Sequence, residues 1–242
     1  MRTKLAAILP AALAVAALLA FCAVGLAQER DRSMRSVSQY PLVGDDGQRL
    51  PNHRVDLPGP IESLPGIVTA ANPDGKTTLI EFYDLNCPFC RAASVDISDM
   101  VETDPELKLV LVPYPILGPS SVAASRVELA VAQLATPQQF YDFHRKIYAQ
   151  RGTIDGLRAF EMARELGFDG RTLDSLSNSD TVTQTIKGHL ALGNSLGLAA
   201  TPSFIVGGVA ILGYPGRNAL QAIIDAVNTC GKVLCKAQRP PI

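Results

Sequence analysis

The sequence predicts an α/β fold with the order β-α-β, a helical block, then β-β-α. Three observations carry that reading. Thr77–Tyr83 (TTLIEFY) and residues 107–112 (LKLVLV) are short apolar runs rich in strand-favouring residues, and a helical stretch opening at Pro88 separates them. Between about residues 116 and 197, apolar residues recur at helical spacing. Residues 201–206 (TPSFIV) and 209–212 then read as strands joined at Gly207-Gly208, a hairpin signal, before a closing helix over 216–227.

The elements follow in order. Arg2 and Lys4 precede an Ala-rich apolar run from Leu5 to Leu26, and Gly25-Leu26-Ala27 sets small residues where a signal peptidase reads. A signal peptide over 1–27, cleaved after Ala27, is therefore expected. An uncleaved membrane anchor is the alternative, since the run is long enough to span a bilayer. Bulky Phe21 argues against lipid attachment at Cys22. Residues 28–65 form an irregular, proline-rich N-terminal lead-in, with a candidate short hairpin of 40–43 and 49–55 around Asp46-Gly47. Asn72-Pro73-Asp74-Gly75 is a turn that delivers the chain into the first central strand.

The helical block reads as helices over 120–134, 136–149, 156–166, 170–176 and 180–196. Thr136-Pro137-Gln138-Gln139 is a capping box, with Thr as cap, Pro in the first turn and Gln three residues on. The expected organisation is one α/β domain over 66–229, interrupted by a helical domain at about 116–197, and a C-terminal tail over 230–242. With 242 residues, 47% of them hydrophobic, the chain can bury one sizeable core. Its formal net charge of −1 shows no basic stripe, so nucleic acid is not an expected partner.

The chemistry sits in cysteines. Of five, Cys22 falls in the targeting segment, which leaves the close pairs Cys87/Cys90 and Cys230/Cys235. A helix that begins at Cys87 sets its sulfur among unpaired backbone N–H groups at the positive end of the helix dipole, and both favour the thiolate. Cys90, three residues on, lies on the same face, one turn deeper and less exposed. That asymmetry suits exchange: Cys87 attacks or is attacked, and Cys90 resolves the mixed disulfide. Two other readings stand beside it. The four sulfurs together would make a zinc site, and the Cys87/Cys90 pair alone a structural disulfide. Cys230 and Cys235, following the last helix, fit a structural disulfide whose six-residue ring would contribute roughly 2 kcal/mol; a second redox centre is the less fitting alternative, lacking the strand-to-helix setting.

Three segments, NPDGKTTLIEFYDLNCPFC, VPYPILGPSSVAAS and LGLAATPSFIVGG, resemble the DsbA-like family of bacterial periplasmic disulfide oxidoreductases. Their order and spacing are similar to the branch that includes suppressor-of-copper-sensitivity-type proteins, over about Gly66 to Val227. The resemblance implies a thioredoxin fold interrupted by a helical domain. It also implies dithiol–disulfide exchange in the periplasm, on exported proteins with cysteines, with a membrane or periplasmic redox partner and no metal or organic cofactor. Pro202 matches the family's cis-proline beside the redox pair, with Thr201 just before it. Pro88, Phe89 and Thr201 are then expected to meet the substrate.

Glu81 matches a buried acid of the family, expected to relay the proton of Cys90. Its own warrant is that an acid inside an apolar central strand is costly unless paired or protonated. The alternative is a strand-edge Glu paired with Lys108. One departure is Phe89, where the best-known strong oxidants carry His; without that cation a weaker oxidant is expected. No helical oligomerisation arm is found. A different class, a protein that handles copper or zinc with the same thiols, would need a stoichiometric, thiol-dependent metal complex instead of cycling. His144 and His189 read as structural, His53 lies in the lead-in, and Tyr114, Pro115 and the Gly118-Pro119 turn suit either packing or the groove.

Overall fold

The computed structural model describes residues 38–235. The expected signal peptide, with Cys22 and the cleavage point after Ala27, lies outside the described residues, as do residues 236–242. The chain forms a thioredoxin fold with inserted helices. In order it runs β1 (Asn52–Arg54), β2 (Val68–Ala71), β3 (Thr77–Tyr83), α1 (Pro88–Thr103) and β4 (Leu107–Pro113). Five helices follow: α2 (Pro119–Leu134), α3 (Pro137–Ala149), α4 (Gly156–Glu165), α5 (Gly170–Ser177) and α6 (Asp180–Ser195). Then come β5 (Ser203–Val206), β6 (Val209–Leu212) and α7 (Arg217–Cys230). Among the described residues no helix is long and apolar enough to cross a membrane.

The strands make one sheet in the order β1-β6-β5-β3-β4-β2. β3 and β4 are parallel, and every other pairing is antiparallel. β3 is paired on both edges, with Glu81 opposite Leu111 on one side and Phe204 on the other. That placement explains its unbroken apolar sequence: both faces are covered, so alternation between apolar and polar residues is lost. Side chains still alternate in direction. Leu79 and Tyr83 enter the core layer that contains Cys87, Cys90 and the buried side of α1. Ile80 and Phe82 enter the opposite layer with Tyr114, Leu196 and Leu198. Glu81, in phase with Leu79 and Tyr83, therefore points toward the cysteines.

The inserted helices start where the sequence offers caps. Thr136 and Gln139 form the expected box, and Asp155, Asp169 and Ser179 each accept an N–H from the first turn of α4, α5 and α6. Each such cap is worth about 1 kcal/mol. α2 is the hub of the insertion, in contact with α3, α4, α5 and α6.

Two expectations need correction at the N-terminal side. The lead-in is not irregular throughout, because Asn52–Arg54 is an edge strand on β6. The expected short hairpin forms around Asp46-Gly47, closed by a Val43–Arg49 bridge and by backbone bonds from Gly44 N to Gln48 O and Leu50 N to Leu42 O, and its second arm goes on to pair with β6. Asn52, wholly buried, fixes this route: its Nδ2 donates to Tyr40 O and Leu50 O, and its Oδ1 accepts from Tyr40 N at 2.8 Å. β2 was not expected at all. It is a short run of small residues with a register shift between Thr69 and Ala71, so it carries neither alternation nor bulk.

The lead-in also tethers the end of the fold. The Asp45 carboxylate accepts from Asn218 N (3.0 Å) and Ala219 N (2.8 Å), capping α7 from 173 residues away. α7 ends at Gly231, whose φ of 69° is left-handed and suits glycine. A disulfide then joins Cys230 to Cys235. The ring holds Val233, 2% exposed, in the main core. Closing so short a loop contributes about 2 kcal/mol in the chain-entropy estimate. The double variant Cys230→Ser/Cys235→Ser should therefore lose about that much unfolding free energy in urea and keep its thiol chemistry. Unchanged stability would show that the ring carries no load.

Candidate active site

The site begins where β3 ends. Asp84 Oδ1 accepts Asn86 N at 2.8 Å, and Asp84 O accepts Cys87 N at 3.0 Å. This tight turn follows from the Asp-x-Asn spacing, in which a carboxylate bonds the backbone two residues on. It delivers the chain into α1 with Cys87 as the N-cap residue and Pro88 in the first turn. Pro88 costs nothing there, because its missing N–H would have had no helical partner.

Cys87 and Cys90 are free thiols. The Cys87 thiol donates to the Thr201 carbonyl at 3.0 Å, and the Thr201–Pro202 peptide bond is cis. The Thr201 hydroxyl is buried and has no hydrogen-bond partner. Cys87 is pushed down to about 6. The hydrogen bond from the Cys90 thiol is the leading cause, helped by Thr201 and the backbone N–H groups of Cys90 and Phe89, against a desolvation that works the other way.

Cys90 is driven far the other way, first by burial, then by its bond to Cys87 and the charges of Glu81 and Cys87. Cys90 is the less exposed of the two, as expected, at 0% against 4% for Cys87. The asymmetry is electrostatic. One sulfur faces donors, and the other faces apolar core and an acid.

Glu81 is 1% exposed, and its Oε1 has no hydrogen-bond partner. Burial, with a smaller contribution from Cys87, raises its carboxyl to about 8. The pairing with Lys108 does not occur. Glu81 sits on a strand with neighbours on both edges, and Lys108 Nζ bonds Glu62 at 3.3 Å instead. Pro88 and Phe89, which follow Cys87 and precede Cys90, stand outward, Phe89 62% exposed.

The four-sulfur zinc reading fails on geometry. Cys230 and Cys235 are bonded to each other and have no thiolate to give a metal. The histidines are structural. His144 lies edge-on to the rings of Tyr83 and Tyr148, His189 bridges the carbonyls of Pro65 and Pro113, and His53 meets Leu196 O. Tyr114 is packing, its hydroxyl bonded to Leu198 O and its ring against Gly193, where a Cβ would fall 2.4 Å from a ring carbon.

Three further residues shape the site that the sequence reading did not single out. Tyr148 OH donates to Asp84 O at 3.0 Å. Asp84 Oδ2 accepts Leu117 N at 2.9 Å, and Asn86 bonds Ser121 and Ile154. The signal for Asp84 and Asn86 was their spacing; Tyr148 carried none.

Comparison with known proteins agrees with this geometry. The model of the DSBA-like thioredoxin domain matches residues 78–225. A thioredoxin-like oxidoreductase from Silicibacter pomeroyi DSS-3 is 32% identical, with a TM-score of 0.64 over 71% of this chain and 99% of that one. An Na(+)/H(+) antiporter NhaA of Herminiimonas arsenicoxydans is 25% identical over 183 residues, 74% of this chain and 29% of the antiporter. The thiol:disulfide interchange protein DsbA of Bordetella pertussis is 26% identical over 136 residues, 55% of this chain and 65% of that protein. The chain spans only part of the length of each of these last two.

The Glu81 shift predicts a pH dependence. An acid whose folded pKa is raised stabilises the fold fully below its unfolded value, and that stability is lost as pH rises through the folded value. Burial alone holds the Glu81 carboxyl above its usual 4.5, so the disulfide form should lose stability as pH rises above that value. The disulfide form is the one to use, because reduced Cys87 titrates with the opposite sign. Glu81→Gln should flatten the slope in urea denaturation; equal slopes in both proteins would mean that Glu81 is ionised in the fold.

Proposed function

The chain belongs to the DSBA-like thioredoxin domain family, and on that premise we propose that it is a thiol–disulfide oxidoreductase acting on exported proteins through Cys87 and Cys90. The observation that carries this reading is the placement of the Cys87 sulfur at the start of α1, 3.0 Å from the carbonyl that precedes Pro202.

In the reducing direction the Cys87 thiolate attacks one sulfur of a substrate disulfide. A Cys87–substrate disulfide forms, and the other substrate sulfur leaves as a thiolate. Cys90 then gives up its proton, for which Glu81 in its carboxylate form is the adjacent buried base. The Cys90 sulfur attacks Cys87, the substrate's second sulfur leaves and takes up a proton, and the Cys87–Cys90 disulfide closes. Two electrons pass from the pair to the substrate. Oxidation of a substrate dithiol is the same path reversed, and isomerisation is a first attack followed by release to a different substrate thiol.

Thr201, Pro202, Pro88 and Phe89 form the rim that a substrate chain meets. The periplasm is the compartment this chemistry fits, with a membrane or periplasmic redox partner to reset the pair. Phe89 supports the reading of a milder oxidant than a protein with a cation there. It adds no charge and no donor to hold the thiolate, so the reduced form gains less from that position.

The roles of the two cysteines are separable. Cys90→Ser should accumulate mixed disulfides with substrate proteins, visible as reductant-sensitive adducts on gels, because the resolving thiol is gone. Cys87→Ser should accumulate few. Equal trapping by both variants would reverse or remove the assignment.

A further inference from the structure

Tyr148 reaches the redox loop from the inserted helices, and it meets the loop on both sides of the cysteines. Its hydroxyl donates to Asp84 O at 3.0 Å, ahead of Cys87. Its own carbonyl accepts Nη1 of Arg91, the residue after Cys90, and the Arg91 guanidinium lies 5.8 Å above its ring. Tyr83 and His144 hold that ring edge-on. Burial first, then the charges of Cys90 and Glu81, push the Tyr148 hydroxyl well above the usual phenol range, so it remains a donor at any pH where thiols exchange.

Asp84 is where this contact meets the chemistry. Its O accepts Cys87 N at 3.0 Å as well as the Tyr148 hydroxyl, and its N–H faces the Cys90 sulfur. Burial, the Cys87 thiol and the charges of Glu81 and Cys87 all hold the proton on Cys90, whereas the Asp84 N–H favours the thiolate. The resolving step forms that thiolate in an apolar, fully buried place, where an unassisted charge is costly and a donor aimed beforehand counts most. The aim is set from two sides. Tyr83 O, across the peptide from the Asp84 N–H, accepts Tyr114 N at 2.6 Å. Asp84 O, on the following peptide, is held by Tyr148. Each residue has only two soft backbone dihedrals, so pinning the peptides before and after Asp84 fixes where its N–H points.

We propose that Tyr148 is a positioning residue for the resolving step: through Asp84 it holds the backbone N–H that steadies the Cys90 sulfur as the proton passes to Glu81 and the sulfur displaces substrate from Cys87. The inference rests on the exchange reading above and assigns one of its two steps to a residue of the insertion. The first attack does not depend on Tyr148. The groups that favour the Cys87 thiolate are the Cys90 thiol, Thr201 and the N–H groups of Cys90 and Phe89, not Asp84.

The symmetric disulfide of nitrothiobenzoate separates the two steps. Mixed in equal amount with the reduced protein, it releases one coloured thiolate when Cys87 attacks and a second when Cys90 resolves the adduct. Tyr148→Phe keeps the ring and removes only the hydroxyl. It should leave the first phase and the alkylation midpoint of Cys87 at their wild-type values and slow the second phase about fivefold, the effect of one hydrogen bond. Tyr141→Phe, on the same helix with its hydroxyl against Ser98 Oγ, should leave both phases unchanged. The proposal is overturned by a wild-type second phase in Tyr148→Phe, by equal slowing of both phases there, or by the same slowing in Tyr141→Phe. Should Tyr148→Phe not fold, Arg91→Met decides. It keeps the stem but frees Tyr148 from behind, and it should slow the second phase more than the first; a wild-type ratio of the two phases overturns the role. A wild type that releases no second thiolate overturns the exchange reading itself.

Discussion

One contact organises the molecule: the Cys87 sulfur against the Thr201 carbonyl, between residues 114 positions apart in the chain. It exists only because β3 and β5 lie side by side, Phe82 opposite Ser203, so that the end of one strand meets the start of the other. The sheet order puts the strand that leads to the cysteines between β4 and β5, and the cis Thr201–Pro202 segment beside the first turn of α1. The inserted helices enter between β4 and β5 and return the chain to this point. Gly213 N, just after β6, bonds Pro202 O at 2.9 Å and closes the loop from the other side.

Around that contact, burial and charge are set against each other. A thiolate is costly in a nearly closed pocket, and Cys87 is kept low only because donors converge on it from Cys90, Thr201 and the start of α1. Glu81 has no such donors, so burial leaves it holding its proton up to about 8. Glu81 and Cys87 thus both exchange protons near neutral pH, while burial holds the proton on Cys90 until that sulfur is called on. Tyr148, its hydroxyl on Asp84 O and its ring beside Tyr83, closes the apolar wall behind them.

Much of this was legible in the sequence because it is written in local chemistry. TTLIEFY followed by a turn and CPFC specifies a buried strand, a sharp change of direction and a helix that starts on a sulfur. Thr136, Asp155, Asp169 and Ser179 mark helix starts by the bonds they make three residues on. What stayed hidden is held by long-range backbone pairing or by one side chain reaching another element. β1 joins the sheet through three residues, none of which alternates in type. β2 is mostly small residues with a bulge. Asp45 capping α7, Asn52 fixing the lead-in and Asn86 gripping Ile154 all use amide or carboxylate groups that look like ordinary surface residues until their partners are known.

The central claim is that Cys87 is a thiolate at neutral pH while Cys90 beside it is not. The direct measurement is the pH dependence of alkylation of the reduced protein by iodoacetamide, resolved by peptide mapping into Cys87 and Cys90. Cys87 should react with a midpoint near about 6, and Cys90 should stay unmodified until the protein unfolds. Modification of Cys90 first, or a Cys87 midpoint at the ordinary thiol value, would contradict the account.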